Sequence, residues 1–508
     1  MVDVDVDVLV VGGGPSGMTV AAEIARTGAT VRILEKRTVA PLPRAGTVLP
    51  RPLELFDARG IASRFVQRTC EQNPHPFQTW HIWAGMHPVD WAARDSRFGF
   101  TLFLSQHESE AILRDWAREV GVETGYDSEV ETVRNLGETV EVVWRSADGQ
   151  QHTTSARYVV GADGGRGRVR AAAGIAHRSR PTTFTGVIAT ADLTFPWPGG
   201  MRVAHNVHGW VAAYPFGPGL TRFTMVHAEG RTAGQDEPVT PEEVSKCVSE
   251  ILGETVTIQH LIGAGRYGDA QHLAETFRKG RVFLVGEAAR IHYPASGVGM
   301  NYCIQDAFNL GWKLGAVLNG QAATSLLDSY DSERRPVCED LLRSVDSQVA
   351  IQFDFTQEGQ AFRDRFEGHM LTTPDVTAQL WRELNGLESA YPSPAGSHSS
   401  VGFPAPDFEL LLHNGTSIRL YELLRETPFV VLDLSGTGML RGVELSDLPA
   451  TVVEAHPVRR PAALRDVTAL IVRPDTYVGW ATTLEELPLN TISDELRRIL
   501  TAESHSAG

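Results

Sequence analysis

Val4-Asp5-Val6-Asp7-Val8-Leu9-Val10-Val11-Gly12-Gly13-Gly14-Pro15-Ser16-Gly17 begins in alternation, becomes an unbroken apolar run and ends in glycines. A strand entering a parallel sheet covered on both faces reads this way. Met18 to Arg26 then has helical spacing, Gly28 is a stop, and Thr30-Val31-Arg32-Ile33-Leu34-Glu35 is a second strand. The segment predicts one βαβ unit. Within it, Gly12-x-Gly14-x-x-Gly17 spans the turn from strand to helix, the context in which this motif binds a dinucleotide. Gly12 suits the tight turn, Gly14 lets the backbone approach a pyrophosphate, and Gly17 allows close packing. The helix that starts at Pro15 offers N–H donors to phosphate from Ser16 onward. Glu35 follows Gly12 by 23 residues, where a carboxylate accepts bonds from a ribose. Lys36 and Arg37, next in sequence, are further candidate contacts.

The remaining chain sets the frame. Its 508 residues allow two to four domains at roughly 100–200 residues each. Apolar residues at 42% and charged residues at 21% match globular usage. A net charge of −16 argues against nucleic acid, which needs a basic face. The four cysteines, Cys70, Cys247, Cys303 and Cys338, form no C-x-x-C pair, so neither a metal site nor a disulfide framework is expected. No basic-then-apolar leader is seen, and no run reaches the ~18 apolar residues of a spanning helix. The expectation is a cytoplasmic protein with no membrane partner.

Beyond the first unit, Pro74 to Phe103 is irregular and aromatic, with Trp80, Trp83 and Trp91. Glu108 to Val120 reads as a helix, and Thr139–Trp144 and Tyr158–Gly161 as strands. Thr182 to His227 alternates and is turn-rich, predicting an antiparallel sheet. Arg281–Val285 is a buried strand, Asn301–Leu318 a helix, and Tyr391–Ser400 a linker by composition. Two further strands, Phe429–Leu434 and Ala469–Arg473, suggest a small α/β domain.

The glycine motif does not by itself separate one dinucleotide from another. Gly161-Ala162-Asp163-Gly164-Gly165-Arg166 resembles the D-G fingerprint of the FAD-dependent aromatic hydroxylases, the group of para-hydroxybenzoate and phenol hydroxylases. Gly286-Glu287-Ala288-Ala289 with Pro294 and Gly297-Val298-Gly299-Met300-Asn301 resembles their third fingerprint. Asp306-Ala307-Phe308-Asn309-Leu310-Gly311-Trp312-Lys313-Leu314 continues it. Pro43-Arg44-Ala45, Arg51-Pro52-Leu53-Glu54, Gln106 with Glu110, and Glu129-Val130 match elsewhere. Arg473-Pro474-Asp475-Thr476-Tyr477 resembles a strand of the thioredoxin-like domain in the phenol- and polyketide-hydroxylase branch.

The resemblance implies an α/β fold in three parts. A Rossmann-like FAD-binding domain of the para-hydroxybenzoate hydroxylase type would take residues 1–75, 104–178 and 272–390. An antiparallel substrate domain would take 76–103 and 179–271, a linker 391–400, and a thioredoxin-like domain 401–508. It implies FAD as cofactor, NADPH or NADH as transient reductant, O2 as co-substrate, and a monomer or homodimer. The reaction would be hydroxylation of a polycyclic aromatic or polyketide-like substrate through a flavin C4a-(hydro)peroxide. Baeyer–Villiger insertion or ring cleavage is the alternative, and flavin binding without oxygenation a second.

By the same resemblance the cofactor contacts would be Gly12, Gly14, Pro15, Ser16, Gly17, Glu35, Lys36, Arg37, Arg44, Gln106, Val130, Asp163, Gly164, Glu287, Gly297, Val298, Gly299, Met300 and Asn301. Helix N–H groups after Gly297 would face the flavin end that gains negative charge on reduction. His292, Tyr293 and Pro294 are the candidates nearest the reacting centre. Phe184, Trp210, Tyr214, Phe216, Phe223 and Met225 are candidate substrate contacts, about half of which a half-buried sheet turns away. Arg290 stands where the motif has histidine, as a phosphate or reductant contact or a solvated side chain. Glu287 replaces an aspartate, Ala295-Ser296 a Thr-Gly or Gly-Gly pair, and Gly167 a serine.

Overall fold

Strand Val6–Val11 lies inside an eight-stranded sheet because both of its faces are apolar; Val8, Leu9 and Val10 are fully buried. It runs parallel to Val31–Leu34 on one side and Gln151–Gly161 on the other. Glu123–Gly125 and Val282–Leu284 extend the parallel set outward. Val140–Arg145 and Glu129–Asn135 add an antiparallel hairpin. Helix Pro15–Ala25 packs against helices Gly299–Leu318 and Gln106–Glu119, closing one face of the sheet. The computed structural model describes residues 4–38, 45–73, 75–91, 96–194, 197, 199–388, 390–488 and 490–502.

A second, five-stranded sheet is wholly antiparallel, in the order Arg202–Asn206, Gly209–Pro215, Leu220–His227, Thr185–Leu193 and Ile258–Gly268. Its two faces divide by the alternation of side chains along each strand. Val211, Ala213, Phe223 and Met225 face outward, under Val244, Val248 and Ile251 of helix Pro241–Leu252. Trp210, Ala212 and Tyr214 face inward, toward the first sheet's loops. The two-stranded hairpin Trp80–Trp83 and Met86–Asp90 joins that inner core.

The third unit is a six-stranded sheet, ordered Ser417–Arg419, Glu409–Leu412, Ala450–Pro457, Phe429–Asp433, Ala469–Val472 and Val478–Thr482, with one parallel pair. Residues 391–400, a linker by composition, carry no helix or strand, yet Tyr391 is buried and stacks on Tyr477 with ring centroids 3.9 Å apart. Beside this stack lies a buried charge cluster. Arg473 donates to Glu333 (2.7 and 2.8 Å) and to Asp475 (3.0 and 2.7 Å). Lys313 Nζ reaches Glu333 at 2.6 Å, and Asn309 Nδ2 bridges Glu333 and Asp475. Burial opposes ionisation of Glu333, but the Arg473 and Lys313 charges hold its carboxyl well below the usual carboxylate range. Across the same boundary Arg51 donates to Thr476 Oγ1 (2.5 Å), the Asp475 carbonyl and Tyr421. Among the described residues no helix is long and apolar enough to cross a membrane.

Removing one side of a buried, bonded charge group leaves the others uncompensated, typically a loss of about 3–5 kcal/mol. Arg473→Ala is therefore expected to lower the urea midpoint clearly. Arg441→Ala, which removes an exposed pair with Glu454, is expected to shift it little.

Candidate active site

The turn after the first strand is built by close backbone approach. A Cβ on Gly17 would fall 1.9 Å from the Gly12 carbonyl oxygen, and one on Gly12, at φ +106°, 2.4 Å from the Ala162 carbonyl oxygen. A Cβ on Gly286 would fall 2.4 Å from Ser16 Oγ. So the glycine turn, the Asp163 loop and the Glu287 turn meet at one place, although 12, 162 and 286 are far apart in sequence. Gly14 differs: its backbone is ordinary (φ −76°, ψ −176°), and a Cβ there meets nothing within 4 Å. None of the described residues requires glycine at 14, and among them the position is open at the N-terminus of helix Pro15–Ala25.

Glu35 accepts the Gly13 N–H at 2.7 Å and the Arg37 N–H at 3.0 Å, which fixes its carboxylate beside the turn. Asp163 Oδ2 accepts the N–H groups of Arg168 (2.6 Å) and Val169 (3.0 Å). Its Oδ1 is buried with no hydrogen-bond partner among the described residues. Burial pushes the Asp163 pKa up, against the pull of these N–H groups and of Lys36. An acceptor in that state suits a ligand bearing hydroxyls. Gly164 is in the left-handed region at φ +75°. Glu287 is exposed on the same rim. Lys36 and Arg37 are exposed nearby. Gln106 accepts from Ala45 N–H (3.4 Å) and donates to Glu110, and Val130 is buried with its carbonyl taken by Arg168. Arg44 lies outside the described residues. The open space at Gly14, the waiting Asp163 oxygen and the exposed Glu287 together fit a dinucleotide bearing sugar hydroxyls.

The Pro294–Gly297 turn leads into helix Gly299–Leu318, with Pro294 and Gly297 exposed. Val298 is buried, and Gly299 and Met300 are half-buried in the first helical turn. Asn301 is committed within the protein: it accepts from Leu49 N–H (2.8 Å) and donates to the carbonyls of Gly297 (3.1 Å) and Thr47 (3.4 Å). It braces the turn from behind. His292 places Nδ1 2.6 Å from the Tyr293 carbonyl. Burial and the Arg290 charge push its pKa down to about 4, so it is neutral at neutral pH. Tyr293 is a buried wall residue, packed on Phe184, Tyr267 and Phe353 at centroid distances of 5.3 to 5.8 Å. Burial pushes its phenol far above the ordinary value.

Three expectations are corrected here. Phe223 and Met225 lie on the outer face of the sheet against helix Pro241–Leu252, because the strand's alternation sends their even-numbered neighbours inward. They cannot line a site on the inner face. Arg290 is neither at a phosphate nor in solvent: it is buried, paired with Asp306, and Arg334 holds the other Asp306 oxygen at 2.8 Å. An acidic residue one helical turn in from the motif gives the arginine its partner. Phe184, Trp210, Tyr214 and Phe216 do share the inner core with Tyr293, Trp83 and Trp91. There sequence reading missed Arg222, whose guanidinium lies 3.8 Å from the Phe216 ring centroid, and His81, which binds the Ser296 carbonyl at 2.6 Å. His208, His227 and Glu250 also cluster, on the outside of this sheet, with Glu229 N–H on His227 Nδ1.

A fold with this cradle, an antiparallel sheet over it and a third α/β unit is that of a class A flavoprotein hydroxylase. Comparison with known proteins agrees. The family described as FAD binding domain matches residues 5–345, and that described as aromatic-ring hydroxylase, C-terminal, matches 398–502. The chain is 33% identical over 481 residues to an uncharacterized aromatic compound monooxygenase of Bacillus subtilis, covering 94% of each. It is 32% identical to the 12-dehydrotetracycline 5-monooxygenase/anhydrotetracycline 6-monooxygenase of Streptomyces rimosus, covering 97% of this chain and 98% of that one. The anhydrotetracycline hydroxylase structure from Streptomyces rimosus superposes with a TM-score of 0.85 at 30% identity, over 98% of this chain and 99% of that one. The chain belongs to the FAD-dependent aromatic-ring hydroxylase family and is an FAD-dependent monooxygenase.

Gly14→Ala is expected to leave the thermal unfolding of the FAD-free protein unchanged while weakening FAD binding at least about tenfold, since each tenfold needs only 1.4 kcal/mol. A flavin fluorescence titration beside a melting curve checks both. His81, pushed down to about 4 by burial, gives a pH signature. Its folded pKa is below its unfolded value of about 6.5, so the unfolded chain binds the extra proton. Its contribution is full above pH 6.5 and is lost as pH falls through 4, on the order of 3 kcal/mol. Urea unfolding at several pH values should show that slope, flattened in His81→Gln.

Proposed function

We propose that this enzyme hydroxylates a planar, polycyclic aromatic substrate held between the Pro294–Gly297 turn and the inner face of the five-stranded sheet. One observation carries the reading: Phe184, Trp210, Tyr214 and Phe216 converge with Tyr293 on the sheet face that looks toward the flavin cradle. A fused aromatic system presents faces and edges that such rings bind well. The relatives named for tetracycline chemistry support a substrate of that size.

Bound FAD would supply the redox and oxygen chemistry, with NADPH or NADH as electron donor and O2 as co-substrate; the chain's own residues do the rest. Gly12, Gly14, Ser16 and Gly17 would hold the pyrophosphate, Glu35 the adenosine ribose, and Asp163 and Glu287 the remaining hydroxyls. Glu287 extends one methylene beyond an aspartate, and its exposed position leaves room for that. Pro294, Gly297 and Val298 would border the ring system. The first turn of helix Gly299–Leu318 would present N–H groups to the end of the ring system that gains negative charge on reduction. Arg222, beside Tyr214 and over Phe216, puts positive charge on the inner face, where it would stabilise an ionised phenol. His292 stays neutral and serves as a hydrogen-bonding group rather than an acid. Tyr293 stays protonated and shapes the wall. The aromatic shell excludes water from the reacting centre.

The test is direct. The purified yellow protein is expected to oxidise NADPH or NADH faster when anhydrotetracycline is added as a probe polycyclic aromatic, and to insert one atom of labelled O2 into the product as a hydroxyl. Incorporation into a ring as a lactone oxygen would move the assignment to Baeyer–Villiger insertion. No stimulation by any polycyclic probe, with FAD bound and reducible, would overturn the oxygenase reading of the substrate site.

A further inference from the structure

Ser296 is one of five non-glycine residues with positive φ among the described residues, at +50° and ψ +19°. The left-handed region disfavours a residue with a Cβ by roughly 1 kcal/mol, so something in the surroundings holds it there. Two groups do. His81 Nε2 lies 2.6 Å from the Ser296 carbonyl, and Ser296 Oγ donates to Gln348 Oε1 at 2.7 Å. The same Gln348 oxygen accepts the backbone N–H of Ala84 at 3.1 Å. Ala84 is itself left-handed at +49°, at the tip of the Trp80–Asp90 hairpin, and Gly85 beside it accepts Trp210 Nε1–H at 3.1 Å.

A primary amide could turn over and present its NH2 instead. Here its direction is decided at both ends: the Ala84 N–H can only donate, so it requires the amide oxygen, and a second chain of bonds fixes the NH2 end. Gln348 Nε2 donates to Ser344 Oγ at 3.1 Å, and Ser344 Oγ donates to Glu383 Oε1, which also accepts Trp83 Nε1–H at 2.8 Å. An ionised carboxylate can only accept. It therefore makes Ser344 the donor, leaves the Ser344 oxygen to accept from Gln348, and points the Gln348 oxygen at Ser296 and Ala84. Glu383 and Ser344 line a cavity of about 220 Å³ that reaches solvent, with Tyr302 and Asp340. The Glu383 acceptor and the Ala84 donor thus agree on the direction of the bonds by which Gln348 ties helix 329–352 to the hairpin and to the Ser296 turn.

We propose that Glu383, through Ser344 and Gln348, is a positioning residue that fixes the Ser296 turn and the Trp83–Gly85 hairpin as one unit, and so sets the seat of the flavin ring. This rests on the proposed placement of the flavin against Pro294–Gly297. The experiment compares wild type with Gln348→Met, Ser296→Gly and the double variant, each reconstituted with FAD. It reads the FAD dissociation constant and the shape of the visible flavin bands. Gln348→Met is expected to weaken FAD binding about tenfold and alter the bands, within the range of coupled neighbouring residues. Ser296→Gly, which no longer needs to be held, should make the second substitution nearly silent, so that the two effects do not add. Glu383→Leu should reproduce Gln348→Met, and Glu383→Gln, which keeps an acceptor, should restore part of the loss. Additive effects, or a lower melting temperature with unchanged flavin bands and affinity, would overturn the proposal. Failure of wild type itself to bind FAD would instead overturn the cradle reading.

Discussion

The structure depends on backbone meeting backbone at the end of the first strand. Gly17 packs on the Gly12 carbonyl and Gly12 on the Ala162 carbonyl, each at a separation that no side chain allows, and Gly286 packs on the Ser16 hydroxyl. These approaches bring three loops from distant parts of the sequence to the carboxyl edge of one parallel sheet. That edge is where open α/β sheets present ligand sites. The central strand must be buried on both faces for the edge to be placed so, and Val8 to Val11 provide that. Glu35 reaches the Gly13 N–H across that crowded turn, whereas Asp163 takes its N–H donors, Arg168 and Val169, from its own loop.

From the cradle, the architecture passes outward through buried polar contacts rather than apolar ones alone. Arg290, two residues before the reacting turn's first candidate, pairs with Asp306; Asp306 binds Arg334; Arg334 Nη1 reaches the Tyr391 hydroxyl at 3.1 Å. Tyr391 stacks on Tyr477 of the third unit. A charged chain of this kind is geometrically demanding, because a misplaced member leaves an unpaired charge in a dry interior. It fixes direction as well as distance. The same is true of the Glu383 chain, which differs in ending at solvent.

Much of this was legible in the sequence, and the boundary between what was and was not is physical. Local periodicity gave the first βαβ unit, the helix now seen at Gly299–Leu318 and the antiparallel sheet, since each depends on neighbours in the chain. Glu35 was singled out by its spacing from Gly12 and Asp163 by its resemblance to a family motif, and both residues lie beside the glycine turn. The direction of Phe223 and Met225 could not, because alternation gives two faces and does not say which is inner. Arg290 was opaque for another reason: a single arginine reads alike in solvent and in a core, and only its partner sixteen residues on decides. Gln348, Ser344 and Glu383 lie on helices with no motif, and their meeting with Ala84 and Ser296 is purely tertiary. Tyr391 misled through composition: Pro, Ser and Gly around it suggest freedom, while its ring is held in a stack.

That stack has a consequence for anyone recombining this enzyme with its relatives. Residues 391–400 resemble a natural crossover point, and a chimera joined there would keep both halves intact as chains. It would still separate Arg473 and Asp475 from Glu333, Lys313 and Asn309, and Thr476 from Arg51. Grafts of the carboxyl-terminal unit should therefore travel with Arg51, Asn309, Lys313 and Glu333, treated as one heritable block whatever the sequence distance between them.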